Sequence, residues 1–132
     1  MQAKGHFEVK LAPQPSAPGI ERANLGRMTL DKQFHGDLEA TSLGEMLSVM
    51  GQVQGSAGYV AIERVIGSLH GKQGSFVLQH QGIMHRGVPQ QSVMVMPDSG
   101  TEALAGLTGS MQIRNEQGKH FYIFDYELAQ GI

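Results

Sequence analysis

Short runs in which apolar and polar residues alternate recur along much of the chain, and this pattern predicts β-strands. Three such runs come first, at residues 6–11, 27–35 and 38–50. A turn or bulge is predicted at residues 36–37, and the proline-rich residues 12–19 are predicted to form a loop. Residues 44–50 also have helical propensity, but no capping signal or sustained helical stripe accompanies it. A strand is therefore the preferred interpretation there.

Two hairpins stand out in the second half of the chain. In the first, at residues 58–84, β-branched and aromatic runs flank a turn bracketed by Gly71 and Gly74. The second covers residues 107–128 and is predicted to turn at residues 115–118. Hairpins join strands that are neighbours in a sheet, so these segments predict an antiparallel arrangement.

The segment between the hairpins predicts one strand and one short helix. Residues 90–96 form a short β-like run that Pro97 ends. Ser99 and Glu102 then have the spacing of a capping box, and Gly106 is a suitable helix C-terminus. We therefore expect one or two turns of helix here.

Together these elements predict an all-β fold with about eight strands and one short helix. An open antiparallel sheet of this size would leave two edges free to pair with other chains. A closed or nearly closed antiparallel barrel avoids those edges, and an eight-stranded barrel can hold one small ligand. A two-sheet β-sandwich is the alternative. The 132 residues are predicted to form a single domain, residues 1–132.

Composition and charge narrow the function classes. The chain has no cysteine, which excludes disulfides, thiolate metal sites and cysteine nucleophiles. Its formal net charge is −2 with no basic stripe, so nucleic acid is not an expected partner. The N-terminal residues lack the apolar region of a signal peptide, and no run approaches the length of a membrane span. We expect a cytoplasmic protein without a membrane partner.

Several longer stretches resemble a known family. They read FHGDLEA at residues 34–40, YVAIERVIGSLHGKQGSFVLQHQG at 59–82, VMPDSGTEALAGLTG at 95–109 and FDYEL at 124–128. In these stretches the chain is similar to domain of unknown function 3224, a family of small, mostly bacterial proteins, and the similarity extends from His6 to Leu128. The resemblance implies a β-barrel of the allene-oxide-cyclase-like type. Barrels of that group can hold an oxidised fatty acid in an apolar cavity and guide its cyclisation. No activity is established for the family as a whole, so the resemblance implies a fold and not a reaction.

The motifs of metal sites and hydrolases are missing. Six histidines are present without a His-x-His pair, and His80 and His85 lie on opposite faces of a regular strand. We therefore predict no metal site and no cofactor. Ser99 lacks both glycines of a nucleophile elbow, and an N-cap role explains it better.

Glu63 and His80 form the sharpest candidate site. A two-residue turn at 71–72 would place them directly opposite each other, and a four-residue loop at 71–74 would make them diagonal neighbours on one face. A three-residue loop would separate them. We predict that the face carrying Tyr59 lines the barrel, because Arg64 and the glutamines of the other face suit solvent better. The pair then serves either as acid and base or as a structural pair that specifies register.

Aromatic residues complete the predicted lumen. The predicted ligand-binding side chains are Tyr59, Phe76, Tyr122 and Tyr126, and core packing is the alternative for the last two. The leading hypothesis is a barrel that binds a small, largely apolar molecule in its lumen. The alternatives are an isomerase or cyclase that uses Glu63 and His80, and a structural oligomer with a filled barrel. Apolar residues on both faces of residues 59–66 favour a homodimer.

Overall fold

The computed structural model of the chain, which describes residues 1–128, is a closed barrel of eight antiparallel strands in sequence order. The strands are β1 (Gln2–Gln14), β2 (Gly26–Gly36), β3 (Leu38–Met50), β4 (Ala57–Leu69), β5 (Lys72–His85), β6 (Val88–Val95), β7 (Thr108–Glu116) and β8 (Lys119–Glu127). β1 pairs with both β2 and β8, which closes the barrel. The predicted barrel is thus confirmed and the sandwich is not found.

Tight two-residue turns set the register of three hairpins. In each turn a non-glycine residue and the glycine after it both have positive φ: His70–Gly71, Arg86–Gly87 and Gln117–Gly118. Two positive φ values characterise the type I′ turn, whose twist matches that of the flanking strands. The first of these turns lies one residue before the predicted two-residue turn, so Leu69 pairs with Lys72.

β1 extends beyond the predicted strand. It continues to Gln14 through Pro13, so the prediction of a loop from residue 12 onward is wrong for its first three residues. β8 pairs with β1 only from Gln2 to Phe7, and the rest of β1 has β2 as its one neighbour. A strand with one free edge tolerates a proline, which lacks a backbone N–H.

The predicted short helix is instead an isolated 3₁₀ turn at Glu102–Leu104. Ser99 does not cap it: its hydroxyl donates to the carbonyl of Met96 and accepts from the backbone N–H of Val77. Glu102 has a φ of 54°, which is incompatible with the first turn of an α-helix. Tertiary contacts have overruled the local capping signal.

The segment that joins β6 to β7, the least paired neighbouring strands of the barrel, forms backbone hydrogen bonds to β5. β6 and β7 pair only at Met94 and Ser110, and the backbone N–H of Met96 bonds instead to the carbonyl of Val77 on β5. Leu104 and Leu107 are buried and pack into the core from this segment. A second 3₁₀ turn lies at Glu21–Ala23, and neither 3₁₀ turn among residues 1–128 is long and apolar enough to cross a membrane.

The face of β4 that carries Tyr59 lines the barrel, as predicted. Ala61, Glu63 and Val65 are buried on this face, whereas the outward side chains of Val60, Ile62 and Ile66 are 53–58% exposed. The inward side chains at the end of the barrel near the 36–37 and 70–71 turns form a packed aromatic and aliphatic core. Its members include Phe34, Leu38, Leu69, Phe76, Leu78, Tyr122, Phe124 and Tyr126.

Candidate functional site

Four polar side chains meet inside the barrel, one from each of β2, β3, β4 and β5. They are Lys32, Ser42, Glu63 and His80, and all four residues are buried. They are also the complete set of buried polar or charged residues among residues 1–128. Because charges are rarely buried without a partner, this cluster needs a physical account.

Glu63 is the centre of the cluster, and its carboxylate accepts three hydrogen bonds. Lys32 Nζ donates to Oε2 at 2.7 Å, and Ser42 Oγ donates to Oε1 at 2.7 Å. His80 Nε2 lies 2.5 Å from Oε2. The Lys32 ammonium also lies 4.9 Å from the ring centroid of Phe7 and 5.8 Å from that of Phe34, within cation–π range.

These contacts keep Glu63 ionised. Burial on its own would raise the pKa of the carboxyl, but the hydrogen bond from His80 and the charge of Lys32 outweigh it and lower the pKa to about 2. A carboxyl with that pKa is a poor proton carrier near neutrality. Glu63 is therefore suited to hold a neighbour in place, and less suited to the acid–base role that the sequence suggests.

His80 has the opposite character, because one of its ring nitrogens is unused. A carboxylate can only accept a hydrogen bond, so Nε2 carries the proton in the bond to Glu63. In the neutral ring Nδ1 is then the acceptor, and it has no hydrogen-bond partner among residues 1–128. Every fully buried side-chain nitrogen and oxygen of these residues is paired, so Nδ1 touches accessible space.

The register of β4 and β5 places the pair. Ala61 lies opposite His80 and Glu63 lies opposite Leu78, so Glu63 and His80 are diagonal neighbours on one face. The prediction that they share a face within reach of each other is confirmed, and direct opposition is wrong. Gly44 of β3 lies opposite Glu63, where a Cβ would come within 2.8 Å of the Cα of Glu63. Glycine therefore allows β3 to approach the backbone of β4 closely at Glu63.

The cluster lies where the barrel changes from packed to open. Towards the 36–37 turn, the inward side chains next to it are buried. Towards the opposite end, Leu30 and Ala61 next to the cluster are still buried, and a further set of inward residues is partly exposed: Val9, Met28, Met46, Tyr59 and Ile113. We refer to this end as the open half. Leu30, Ala61 and the polar cluster lie below it.

Tyr59 is the one predicted ligand-binding residue in the open half. Its ring lies flat over Gly82, where a Cβ would meet the ring at 2.2 Å, and its hydroxyl accepts a hydrogen bond from Gln91 Nε2 at 2.7 Å. The ring therefore lies along the wall across β5 and does not cross the lumen.

The other three predicted ligand-binding residues lie in the packed core. Phe76 stacks on Phe124, and Tyr126 contacts the ring of His70 through its hydroxyl. The hydroxyl of Tyr122 accepts from the backbone N–H of Leu38 at 2.9 Å and donates to the carbonyl of His35 at 2.9 Å. Burial raises the pKa of Tyr122 to about 12 and also raises that of Tyr126. Packing explains these positions without a ligand.

Lys32 and Ser42 are the site residues that the sequence analysis missed. The sequence does contain a signal for Lys32, because it occupies every second position together with Leu30 and Phe34 and so shares their inward face. A charged residue in such a series is unusual. Lys32 and Ser42 are also direct cross-strand partners on β2 and β3.

A separate apolar groove lies on the outside of the barrel. It has a volume of about 790 Å³ between the β1–β2 connection and the outer faces of β3 and β4. Its apolar lining includes Ile20, Leu25, Leu47, Val60 and Ile62. Any account of ligand binding must distinguish this groove from the lumen.

Comparisons with known proteins agree with this fold. The family model described as protein of unknown function (DUF3224) matches residues 3–126. A crystal structure of a DUF3224-family protein of unknown function from Shewanella oneidensis MR-1 is 53% identical in sequence and superposes with a TM-score of 0.91. The match covers 99% of this chain and 98% of the other. No curated protein matches the chain. The chain therefore belongs to the DUF3224 family, whose function is unknown.

Proposed function

We propose that the protein binds a small, largely apolar molecule in the open half of its barrel, with a polar end that hydrogen-bonds to His80. The observation that carries the proposal is Nδ1 of buried His80, which has no hydrogen-bond partner among residues 1–128 and lies near the partly exposed inward side chains of the open half. A barrel that is only filled gains nothing from an acceptor left without a partner.

The polar groups of the buried cluster determine which kind of ligand we expect. Lys32 and Ser42 each donate one hydrogen bond to the Glu63 carboxylate, and the positive charge of Lys32 offsets the negative charge of ionised Glu63. In the neutral form of the ring, Nδ1 of His80 is a hydrogen-bond acceptor. The ligand we expect therefore carries a neutral donor, such as a hydroxyl group, on an apolar body.

Two probes of equal size test this preference. 1-Octanol carries a hydroxyl donor, whereas 1-methoxyheptane has the same number of heavy atoms and no donor. We expect titration calorimetry to show tighter binding of the alcohol by about fivefold to tenfold, the value of one hydrogen bond of roughly 1–1.5 kcal/mol. His80→Phe should remove this difference. Equal affinities in the wild type would overturn the proposed role of His80.

Two arginine substitutions test the location. Met46 points into the open half, and Met46→Arg should abolish binding of the alcohol. Ile62 points outward into the 790 Å³ groove, and Ile62→Arg is the matched control that should leave binding unchanged. Loss of binding in Ile62→Arg alone would place the ligand in the outer groove and refute the lumen site. Circular dichroism checks that both variants fold.

An isomerase or cyclase-type enzyme is the second candidate, and one observation favours it. The His80 ring, held through Nε2 by an ionised carboxylate with Nδ1 turned to accessible space, is the arrangement of a histidine base positioned by a carboxylate. In this version His80 moves the proton and Glu63 fixes its tautomer.

The tautomer itself can be measured. We expect ¹⁵N NMR of the imidazole to show the Nε2–H form in the wild type and a mixture of both neutral forms in Glu63→Gln, whose amide can also donate. A wild-type ring protonated at Nδ1 would contradict both candidate functions.

Native mass spectrometry of freshly purified protein tests for a co-purified lipophile.

A further inference from the structure

We propose that His6, Glu8 and His35, on the outer face of β1 and β2, form a binding site for a divalent transition-metal ion of the zinc class. Each residue offers one donor atom, and these atoms lie within 4.8 Å of one another. No other group of three potential metal ligands lies so close together among residues 1–128.

The register of β1 and β2 brings the three side chains together. His6 is the direct cross-strand partner of His35, and Glu8 follows two residues later on the same face of β1. The two imidazole rings lie against each other with centroids 4.9 Å apart. Imidazole and carboxylate ligands together suit zinc and its neighbours better than magnesium or calcium, which prefer oxygen alone.

One pair of donors already has the spacing that a metal ion requires. Glu8 Oε1 and His35 Nε2 are 3.1 Å apart. Two ligands bound at about 2.0–2.1 Å to a tetrahedral ion lie about 3.3 Å apart. His6 is exposed, so its ring is free to rotate from the stacked position and supply the third ligand.

A further carboxylate supports His35 from behind. Glu39 Oε2 lies 3.9 Å from Nδ1 of His35, the nitrogen that faces away from Glu8. The other oxygen of Glu39 accepts a hydrogen bond from the backbone N–H of Gly36 at 2.8 Å, which fixes the carboxylate. Metal-bound histidines usually have a carboxylate or carbonyl at their second nitrogen, where it orients the ring.

The position of the cluster leaves room for a fourth ligand. His6 and Glu8 line a groove of about 510 Å³ that continues along β1 to the β7–β8 turn. Three protein ligands and an accessible face leave a coordination position open to water or a small anion.

Zinc binding by the purified protein tests the site. After removal of metal with a chelator, competition with a chromophoric zinc indicator at neutral pH should give one bound Zn²⁺ per chain. His6→Ala, His35→Ala and Glu8→Gln should each weaken binding at least tenfold. His85→Ala is the matched control, because His85 is exposed at the far end of β5 and should leave the affinity unchanged.

The possible outcomes separate clearly. One ion per chain with losses confined to the three ligand variants supports the site. Absence of zinc binding overturns it, and so does an affinity that survives both His6→Ala and His35→Ala. An equal loss in His85→Ala also overturns it, since this result means that exposed histidines bind zinc without a defined site. Glu39 is not one of the three proposed ligands, so Glu39→Gln leaves the donor atoms intact. This variant should weaken zinc binding less than the three ligand variants do.

Discussion

The ion pair between Lys32 and Glu63 should be strongly coupled in its effect on stability. Glu63→Gln removes the negative charge and leaves the Lys32 ammonium buried without a counter-ion, and Lys32→Met leaves the carboxylate with one charged partner fewer. Breaking a buried pair on one side costs about 3–5 kcal/mol of unfolding free energy, whereas replacing both members is often close to neutral. We expect each single variant to lose about 3–5 kcal/mol, and the double variant to lose no more than either single one.

The coupling energy of this double-mutant cycle is therefore about 3 kcal/mol or more. Urea unfolding at neutral pH measures the four free energies, with total stabilities of about 5–15 kcal/mol expected for a domain of this kind. Arg27 and Glu45 provide the matched control, because their 2.8 Å ion pair has side chains that are 35% and 58% exposed. Their coupling should stay below about 1 kcal/mol. A Lys32–Glu63 coupling as small as that of the control would refute the conclusion that the pair is desolvated.

Three further predictions rest on single features of the structure. The pKa of Glu63 is about 2 in the folded state against an ordinary 4.5, so the ionised carboxylate stabilises the fold above pH 4.5. This contribution is lost as the pH falls towards 2. In urea titrations over this range, the unfolding free energy of the wild type should therefore fall by about 3 kcal/mol more than that of Glu63→Gln. Gly82→Ala should cost about 1–3 kcal/mol because its Cβ would overlap the Tyr59 ring, whereas at Gly58 the nearest atom to a new Cβ is 3.9 Å away and Gly58→Ala is the control; equal losses would contradict the flat placement of the ring. The homodimer predicted from the sequence should form through the exposed outer face of β4. Ile62→Glu should therefore shift the sedimentation coefficient to that of a monomer, whereas the control Val88→Glu, also at an exposed position, should not. A monomeric wild type would contradict this prediction.

The Glu63–His80 contact could be predicted because a short hairpin constrains it. Any even-numbered turn in that hairpin keeps the two side chains on one face, so the shared face did not depend on locating the turn correctly. The error was one residue in the turn position, since the His70–Gly71 turn requires positive φ at a histidine. Histidine is a less obvious residue than asparagine or glycine for that conformation.

The sequence could not predict that Lys32 and Ser42 lie next to Glu63, because no short turn constrains their position relative to it. Their position relative to Glu63 depends on how β3 pairs with β4, and residues 51–56 connect these strands without a two-residue turn. A loop of this length leaves the register to tertiary packing. The cluster of His6, Glu8 and His35 depends likewise on the register across the connection between β1 and β2, where residues 15–25 intervene. Absence of a His-x-His pair on one strand therefore carried no information about pairs across strands.

The strongest structural explanation of the buried cluster is that it fixes the register of neighbouring strands. This explanation accounts for some of the four side chains and not for all of them. The two-residue turn at His70–Gly71 fixes β4 against β5, and the tight turn at residues 36–37 joins β2 directly to β3. Among the four strands that carry the cluster, only the β3–β4 register lacks a tight turn, and the bond from Ser42 to Glu63 spans that pair of strands. The Lys32 ammonium and the His80 imidazole are not needed for it. Burial of these two groups is unfavourable without a role, and the role that the geometry offers is at Nδ1 of His80, which has no hydrogen-bond partner among residues 1–128.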